Sequence, residues 1–185
     1  MQESVVLRTA RVSQINTILT AQGGIPILKI FAADPPLNVA ASDPANLLCT
    51  INLPSNPLSS ANGVTSKIGD WVGIASNGGY AQSFRMYDST PTCHVQGYCS
   101  ELWQPSTTYA LNQNISNING VYSCSGPGVS ASVGVGPSGT GSGIVDGGAI
   151  WTFLWPFAEM VFGTTNLAPG LNLPVQSFSI SAANA

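Results

Sequence analysis

Ionised side chains are what this sequence has least of. Lysine, arginine, aspartate and glutamate make up 7% of the 185 residues, against roughly 25% in an average soluble protein. A free-standing domain ordinarily spreads such residues over roughly 25–35% of its surface. Serine, threonine, asparagine and glycine stand in their place here. Such a chain either carries a neutral polar surface or is covered by neighbours in an assembly. Positive charge is the scarcer sign: Arg8, Arg11, Lys29, Lys67 and Arg85 are scattered among eight acidic residues, and the pI is about 4.7. That distribution excludes a nucleic-acid binder, which needs a basic patch, and a polybasic membrane anchor. No apolar run approaches the roughly 20 residues that span a bilayer. Met1–Thr20 lacks a basic region followed by an apolar block, so no secretory signal is read there and synthesis in a reducing cytosol is expected.

Reactive groups are equally sparse. His94 is the only histidine, so any Ser-His-Asp or Cys-His arrangement has to use it. Its neighbour Cys93 points the other way if the segment is extended. The carboxylates are spread singly, with no motif for the facing pair, roughly 5–10 Å apart, that glycoside hydrolysis needs. No loop gathers several acidic residues for calcium. Cys49, Cys93, Cys99 and Cys124 form no CxxC pair and match no common zinc spacing. Cys49 reads as a small buried hydrophobe within Leu47–Ile51. The other three stay ambiguous, and a late Cys99–Cys124 disulfide is open to a protein that ends up outside a cell. Gly134–Gly139 fits GxGxxG by letters, but Pro137 stiffens it and no helix follows, so a dinucleotide site is rejected. No enzyme, cofactor or metal is expected.

What is present is mostly β patterning. Residues 5–21 read as the one helix, capped by Ser4, with Val5, Val12, Ile15, Ile18 and Leu19 at helical spacing and Gly23-Gly24 and Pro26 as its stop. Ile27–Phe31 and Asn46–Leu53 read as strands. Ile68–Ala75 and Tyr80–Asp88 flank Asn77-Gly78-Gly79 and predict a hairpin, with Phe84 and Met86 on one face and Arg85 and Tyr87 on the other. A further strand starts at Cys93. Composition changes near residue 98: residues 98–157 hold Trp103, Trp151 and Trp155 and no lysine or arginine. Within them 125–148 is rich in glycine and serine, a loop or irregular ribbon, with short strands at Ile115–Ile118, Val121–Cys124 and Ala149–Phe153. Strand patterning returns at Ala158–Phe162 and Leu171–Ser181, the latter setting Phe178 and Ile180 on one apolar face. The expected fold is mainly β: an antiparallel sandwich or barrel-like domain from residues 1–97 and 158–185, with one N-terminal helix and a small β-rich module, 98–157, inserted at a surface turn. Val95–Gly97 and Ala158–Val161 would be the hairpin strands that the insert separates.

Two stretches carry resemblances. The order of N-terminal helix, Ile27–Ala33, Leu47–Leu53, Phe84–Ser89, Val95–Gly97 and Ala168-Pro169-Gly170 before Val175–Ile180 resembles a family of small structural proteins of tailed-phage virions, decoration-like proteins among them. The insert, through Trp103-Gln104-Pro105, Tyr109-Ala110-Leu111, Val121–Cys124, Gly139-Thr140-Gly141 and Asp146-Gly147-Gly148 before Trp151, resembles small aromatic chitin- and carbohydrate-binding modules. The first resemblance implies a virion protein that docks on the major capsid protein, associates with its own copies in a closed ring such as a trimer, and touches neither nucleic acid nor membrane. The helix and the tail Asn184-Ala185 would be contact elements. The second implies that Trp103, Tyr122 and Trp151 stack on host-surface glycans. Against it stands the need of a 60-residue module to put its aromatics inside; Trp155-Pro156-Phe157 is expected to pack the module's root against the outer domain. A tail or baseplate subunit is a third reading.

Overall fold

The computed structural model describes residues 2–182. Helix α1 (Val5–Thr20) starts where the cap predicts: Ser4 is extended and its hydroxyl accepts from Leu7 N–H. It lies on a hairpin that the sequence reading passed over, β3 (Leu58–Ala61) and β4 (Val64–Lys67). Polar side chains stitch the helix down. Thr9 Oγ1 accepts from Gly63 N–H at 2.8 Å and Asn16 Oδ1 from Leu58 N–H at 3.2 Å. Val12 and Leu19 are its buried residues.

The helix and this hairpin flank a mainly β, sandwich-like body that does not close into a barrel. β1 (Ile27–Phe31) sits between β2 (Leu47–Asn52) and β7 (Ser83–Tyr87), antiparallel to both. β5 (Val72–Ile74) and the short β6 (Gly79–Tyr80) lie between them in sequence. The ten-residue β8 (Cys93–Leu102) pairs antiparallel with β7 through its first half. It then runs without a break past residue 97 and pairs in parallel with β10 (Asn114–Asn117) and β15 (Met160–Phe162). Between those two come β9 (Thr108–Tyr109), β11 (Gly120–Gly126), β12 (Gly128–Val129), β13 (Ile144–Asp146) and β14 (Ala149–Trp155). After β15 follow β16 (Asn166–Leu167) and the long β17 (Asn172–Ser181). The main path through the sheet is β13-β14-β11-β10-β8-β15-β17-β4-β3.

Two apolar clusters fill this body. The larger gathers Leu28, Ile30, Leu48, Trp71, Phe84, Met86, Phe162 and Phe178, with Phe178 set 5.3 Å from Trp71 and 5.6 Å edge-on from Phe84. The smaller holds Tyr109, Ile115, Tyr122, Cys124, Ala149 and Trp151. Cys99, although beyond residue 97, belongs to the larger cluster.

Three local expectations are corrected. The hairpin about Asn77-Gly78-Gly79 does not form. β5 pairs with β17, while Asn77 donates its side-chain amide to Leu47 O at 2.8 Å and Ser76 its N–H to Leu48 O. That leaves β7 in the middle of the sheet, where all five of its residues are buried; its two faces still alternate as expected, Phe84 and Met86 in the larger core and Arg85 and Tyr87 on the other side against Asp43. The pairing of Val95–Gly97 with Ala158–Val161 is replaced by a parallel one, Cys99 beside Met160 to Glu101 beside Phe162, because residues 103–159 make a full crossover. In β17 the inward face changes partway: Phe162 pairs with Val175 but Val161 with Ser177. This bulge adds Gln176 and brings Val175 and Phe178, three residues apart, both into the core, where strict alternation puts them on opposite faces.

Candidate binding surface

Four places gather chemistry-bearing side chains. The first grows from β1 and β7, whose register sets Lys29 beside Arg85. Two cations so placed repel, and Asp43, from the loop after β1, answers both. Lys29 Nζ donates to its Oδ2 and Arg85 Nη1 to its Oδ1, each at 2.7 Å. The Tyr87 hydroxyl also donates to Oδ1. Arg85, 1% exposed, adds bonds from Nη2 to Val39 O at 2.7 Å and Ala41 O at 2.9 Å, and from Nε to Cys93 Sγ at 3.3 Å. Burial raises the Asp43 pKa, but hydrogen bonds from Lys29 and Tyr87 and the charges of Lys29 and Arg85 bring it below the ordinary value. Burial and the bond to Asp43 push the Tyr87 hydroxyl upward. The phenol is therefore no base and the carboxylate no acid near neutrality. A cleft of about 410 Å³ opens beside these groups, yet they spend their hydrogen bonds tying down residues 39–43.

The second place is the turn between β7 and β8. Asp88 Oδ1 accepts from Thr90 N–H, Thr90 Oγ1 and Thr92 N–H, and Oδ2 lies 3.0 Å from His94 Nε2. Burial raises the Asp88 pKa, but His94, Thr92 and Thr90 outweigh it and hold the carboxyl at about 2. This is a turn built around a carboxylate.

The third place is the smaller core, where the expected glycan platform fails. Tyr122 and Trp151 are 0% exposed, so neither offers a ring face to a sugar. Trp151 packs edge-on against Tyr109 at 5.0 Å and Tyr122 against Phe153 at 5.5 Å. Trp103 is half-buried, and its indole N–H is taken by Asp146 Oδ2 at 2.8 Å. The Gly134–Gly139 loop packs here too: Asn117 Nδ2 donates to Val135 O and Pro137 O, each at 2.9 Å, and no helix follows. The Cys99–Cys124 disulfide is likewise absent. Both are buried free thiols in separate cores.

The fourth place was not found from sequence. Trp155 and Phe157, expected to pack the module's root against the outer domain, are 48% and 66% exposed. Trp155 lines a groove of about 280 Å³ with Pro35, Leu37, Gln96, Gly97, Tyr98 and Glu159. Gln96 Oε1 and Glu159 Oε2 are buried there without a hydrogen-bond partner. The Gln96 amide cannot be turned over, because its Nε2 donates to Pro36 O. Burial raises the Glu159 pKa, and hydrogen bonds from its own backbone and the Trp155 side chain offset this only in part. The one local signal was Trp155-Pro156-Phe157 itself, an aromatic pair about a proline at the end of β14, equally compatible with packing inward.

No cluster of His, Cys, Asp or Glu among the described residues is placed to hold a metal, and no helix among them is long and apolar enough to cross a membrane. No family model, curated protein or solved structure matches the chain.

Proposed function

We propose that the protein is a non-enzymatic structural component of a tailed-phage virion, and more narrowly a decoration protein that binds the assembled coat-protein lattice. The observation that carries this reading is an exposed apolar strip on a chain with 7% charged residues. On β5, Val72 and Ile74 project from one face, 42% and 67% exposed. Opposite them on β17 lie Pro174 and Asn172, both exposed. Leu171, 37% exposed, precedes that strand. Uncharged surface of this kind has little desolvation penalty on docking, and repetition over a lattice multiplies a modest contact. Binding the assembled shell but not its free parts would stabilise the shell. Val5, Val6 and Leu7, the first turn of α1 and 46%, 79% and 49% exposed, are a second contact element, serving self-association into a closed ring such as a trimer. The tail Asn184-Ala185 lies outside the described residues.

The test is co-sedimentation of the purified protein with assembled coat-protein shells. Saturable binding that Ile74→Glu weakens at least tenfold is expected. Absence of binding to shells, with the wild type folded, contradicts the reading. The host-adsorption reading, as first placed on Trp103, Tyr122 and Trp151, loses its platform to burial. A tail or baseplate position is separated from the capsid by copy number.

A further inference from the structure

Three Asn-Gly pairs occur in the chain, Asn62-Gly63, Asn77-Gly78 and Asn119-Gly120. In such a pair the glycine main-chain nitrogen can attack the side-chain carbonyl carbon of the asparagine, because no Cβ on the second residue stands in the way. The attack needs that nitrogen free of other bonds and both residues able to turn. The fold withholds this at two of the pairs. Gly63 is buried, and its N–H is spent on Thr9 Oγ1 at 2.8 Å. Gly120 is buried, opposite Asn117 in the β10–β11 ladder, and packed so that an added Cβ would meet Trp155 O at 2.5 Å. The Asn119 amide is itself tied to Pro137 O at 3.3 Å. The third pair is open. Asn77 and Gly78 are both exposed, and the Gly78 N–H meets no hydrogen-bond partner among the described residues. A surface bond to Leu47 O at 2.8 Å restrains the Asn77 amide.

We propose that Asn77 is a self-modification site, converted by this intramolecular attack to aspartate and isoaspartate, and that the conversion severs its tie from the β5–β6 turn to β2. A bond forms between Gly78 N and Asn77 Cγ and closes a succinimide ring. The Cγ–Nδ2 bond breaks, and Nδ2 leaves as ammonia with the proton that Gly78 N gives up. Water then opens the ring at either carbonyl. Opening at the main-chain carbonyl leaves isoaspartate, with the chain rerouted through the side-chain carbons; opening at the other leaves aspartate. Either product presents a carboxylate in place of the amide, and a carboxylate has no N–H to donate to Leu47 O. It adds a negative charge as well, taking the formal net charge from −3 to −3 − 1 = −4. Asn77 and its neighbour Ser76 together fasten the end of β5 to β2, Ser76 through N–H and Oγ to Leu48 O, so one of these fastenings is lost three residues past Ile74. This chemistry belongs to the isolated chain and does not rest on where it docks.

The experiment is incubation of the purified full chain at about pH 8.5 and 37 °C, with peptide mapping by mass spectrometry at intervals and a urea-unfolded sample alongside. In urea the three asparagines should convert at rates within about threefold of one another. In the folded protein Asn77 should convert first, at least tenfold faster than Asn62 and Asn119, with isoaspartate among its products. Its rate should rise with pH, because the attacking nitrogen must lose its proton. Gly78→Ala should slow the conversion at least tenfold. The added methyl would lie 3.4 Å from Leu167 O and 3.5 Å from Pro169 Cδ, ordinary contacts at a residue whose φ is not left-handed, so the fold is kept. Asn77→Asp, which has the charge of the product, should lower the thermal midpoint by about 2–4 °C. The inference is overturned if Asn62 or Asn119 converts before Asn77 in the folded protein, if Asn77 stays intact there after the unfolded chain is fully converted, or if Gly78→Ala leaves the rate unchanged. An Asn77→Asp melt equal to that of the wild type overturns the severed tie. Failure here leaves shell binding unaffected, and failure to bind shells leaves the peptide map unaffected.

Discussion

Arg85 Nη1 reaches Asp43 Oδ1 at 2.7 Å across 42 residues of sequence, and through that contact a central strand holds down the loop after β1. Arg85 is 1% exposed, whereas the Asp43 side chain is 34% exposed. The arginine therefore depends on the aspartate more than the reverse. Asp43→Ala should destabilise the fold by about 3 kcal/mol, because it leaves a buried guanidinium without its counter-charge. Lys29→Ala, which removes only the partly exposed partner, should cost about 1 kcal/mol or less. Urea midpoints at constant m-value measure both.

Acid should loosen the turn between β7 and β8. The Asp88 carboxyl is held at about 2, below its ordinary 3.8, so it stabilises the fold fully above pH ~4 and loses that contribution as pH falls toward 2. Asp88→Asn should flatten this part of the stability–pH curve. His94→Ala, which removes one of the groups lowering the pKa, should move the loss to higher pH. Thermal melts from pH 6 down to pH 2 distinguish the three proteins.

The thiols should be inert in the folded protein. Burial raises Cys49 to about 11 and pushes Cys99 and Cys124 upward as well. A thiol-disulfide reagent at pH 8 should leave these three unlabelled for hours and react slowly at the half-buried Cys93, whose pKa is also raised by burial. In denaturant all four should react at once. A mass consistent with a Cys99–Cys124 bridge in the native protein would contradict the separate placement of these residues.

The two tryptophans of β14 should behave oppositely. Trp151→Ala empties the centre of the smaller core and should cost about 3–5 kcal/mol. Trp155→Ala removes a half-exposed ring and should cost about 1 kcal/mol or less. Equilibrium unfolding of the two variants tests whether the insert's aromatics form a core.

Local signals were legible where local physics decides. Ser4 and the apolar spacing place α1 to within a residue, and Ile27–Phe31 is β1. Asn62-Gly63 was equally legible but passed over. It joins β3 to β4 with positive φ at both residues, the conformation that an Asn-Gly hairpin turn favours. Asn77-Gly78 carries a similar signature and makes no hairpin, because β17 and β2 supply better pairing for its flanks. The parallel partners of β8 and the bulge at Gln176 leave no trace in a short window, since both are set by contacts across the sheet. The groove was hidden for the same reason. Gln96, Trp155 and Glu159 are brought together by a crossover of some sixty residues, and whether an aromatic beside a proline faces in or out depends on what the crossover leaves uncovered.

The most direct measurement of the proposed virion role is the number of copies of this chain per purified particle, by quantitative gel densitometry against the coat protein. A decoration protein should be present in hundreds of copies, in a fixed ratio to coat subunits, and should be depleted in parallel with shell stability when Ile74→Glu is introduced. A protein missing from the particles, or present in a few dozen copies or fewer, would contradict the account.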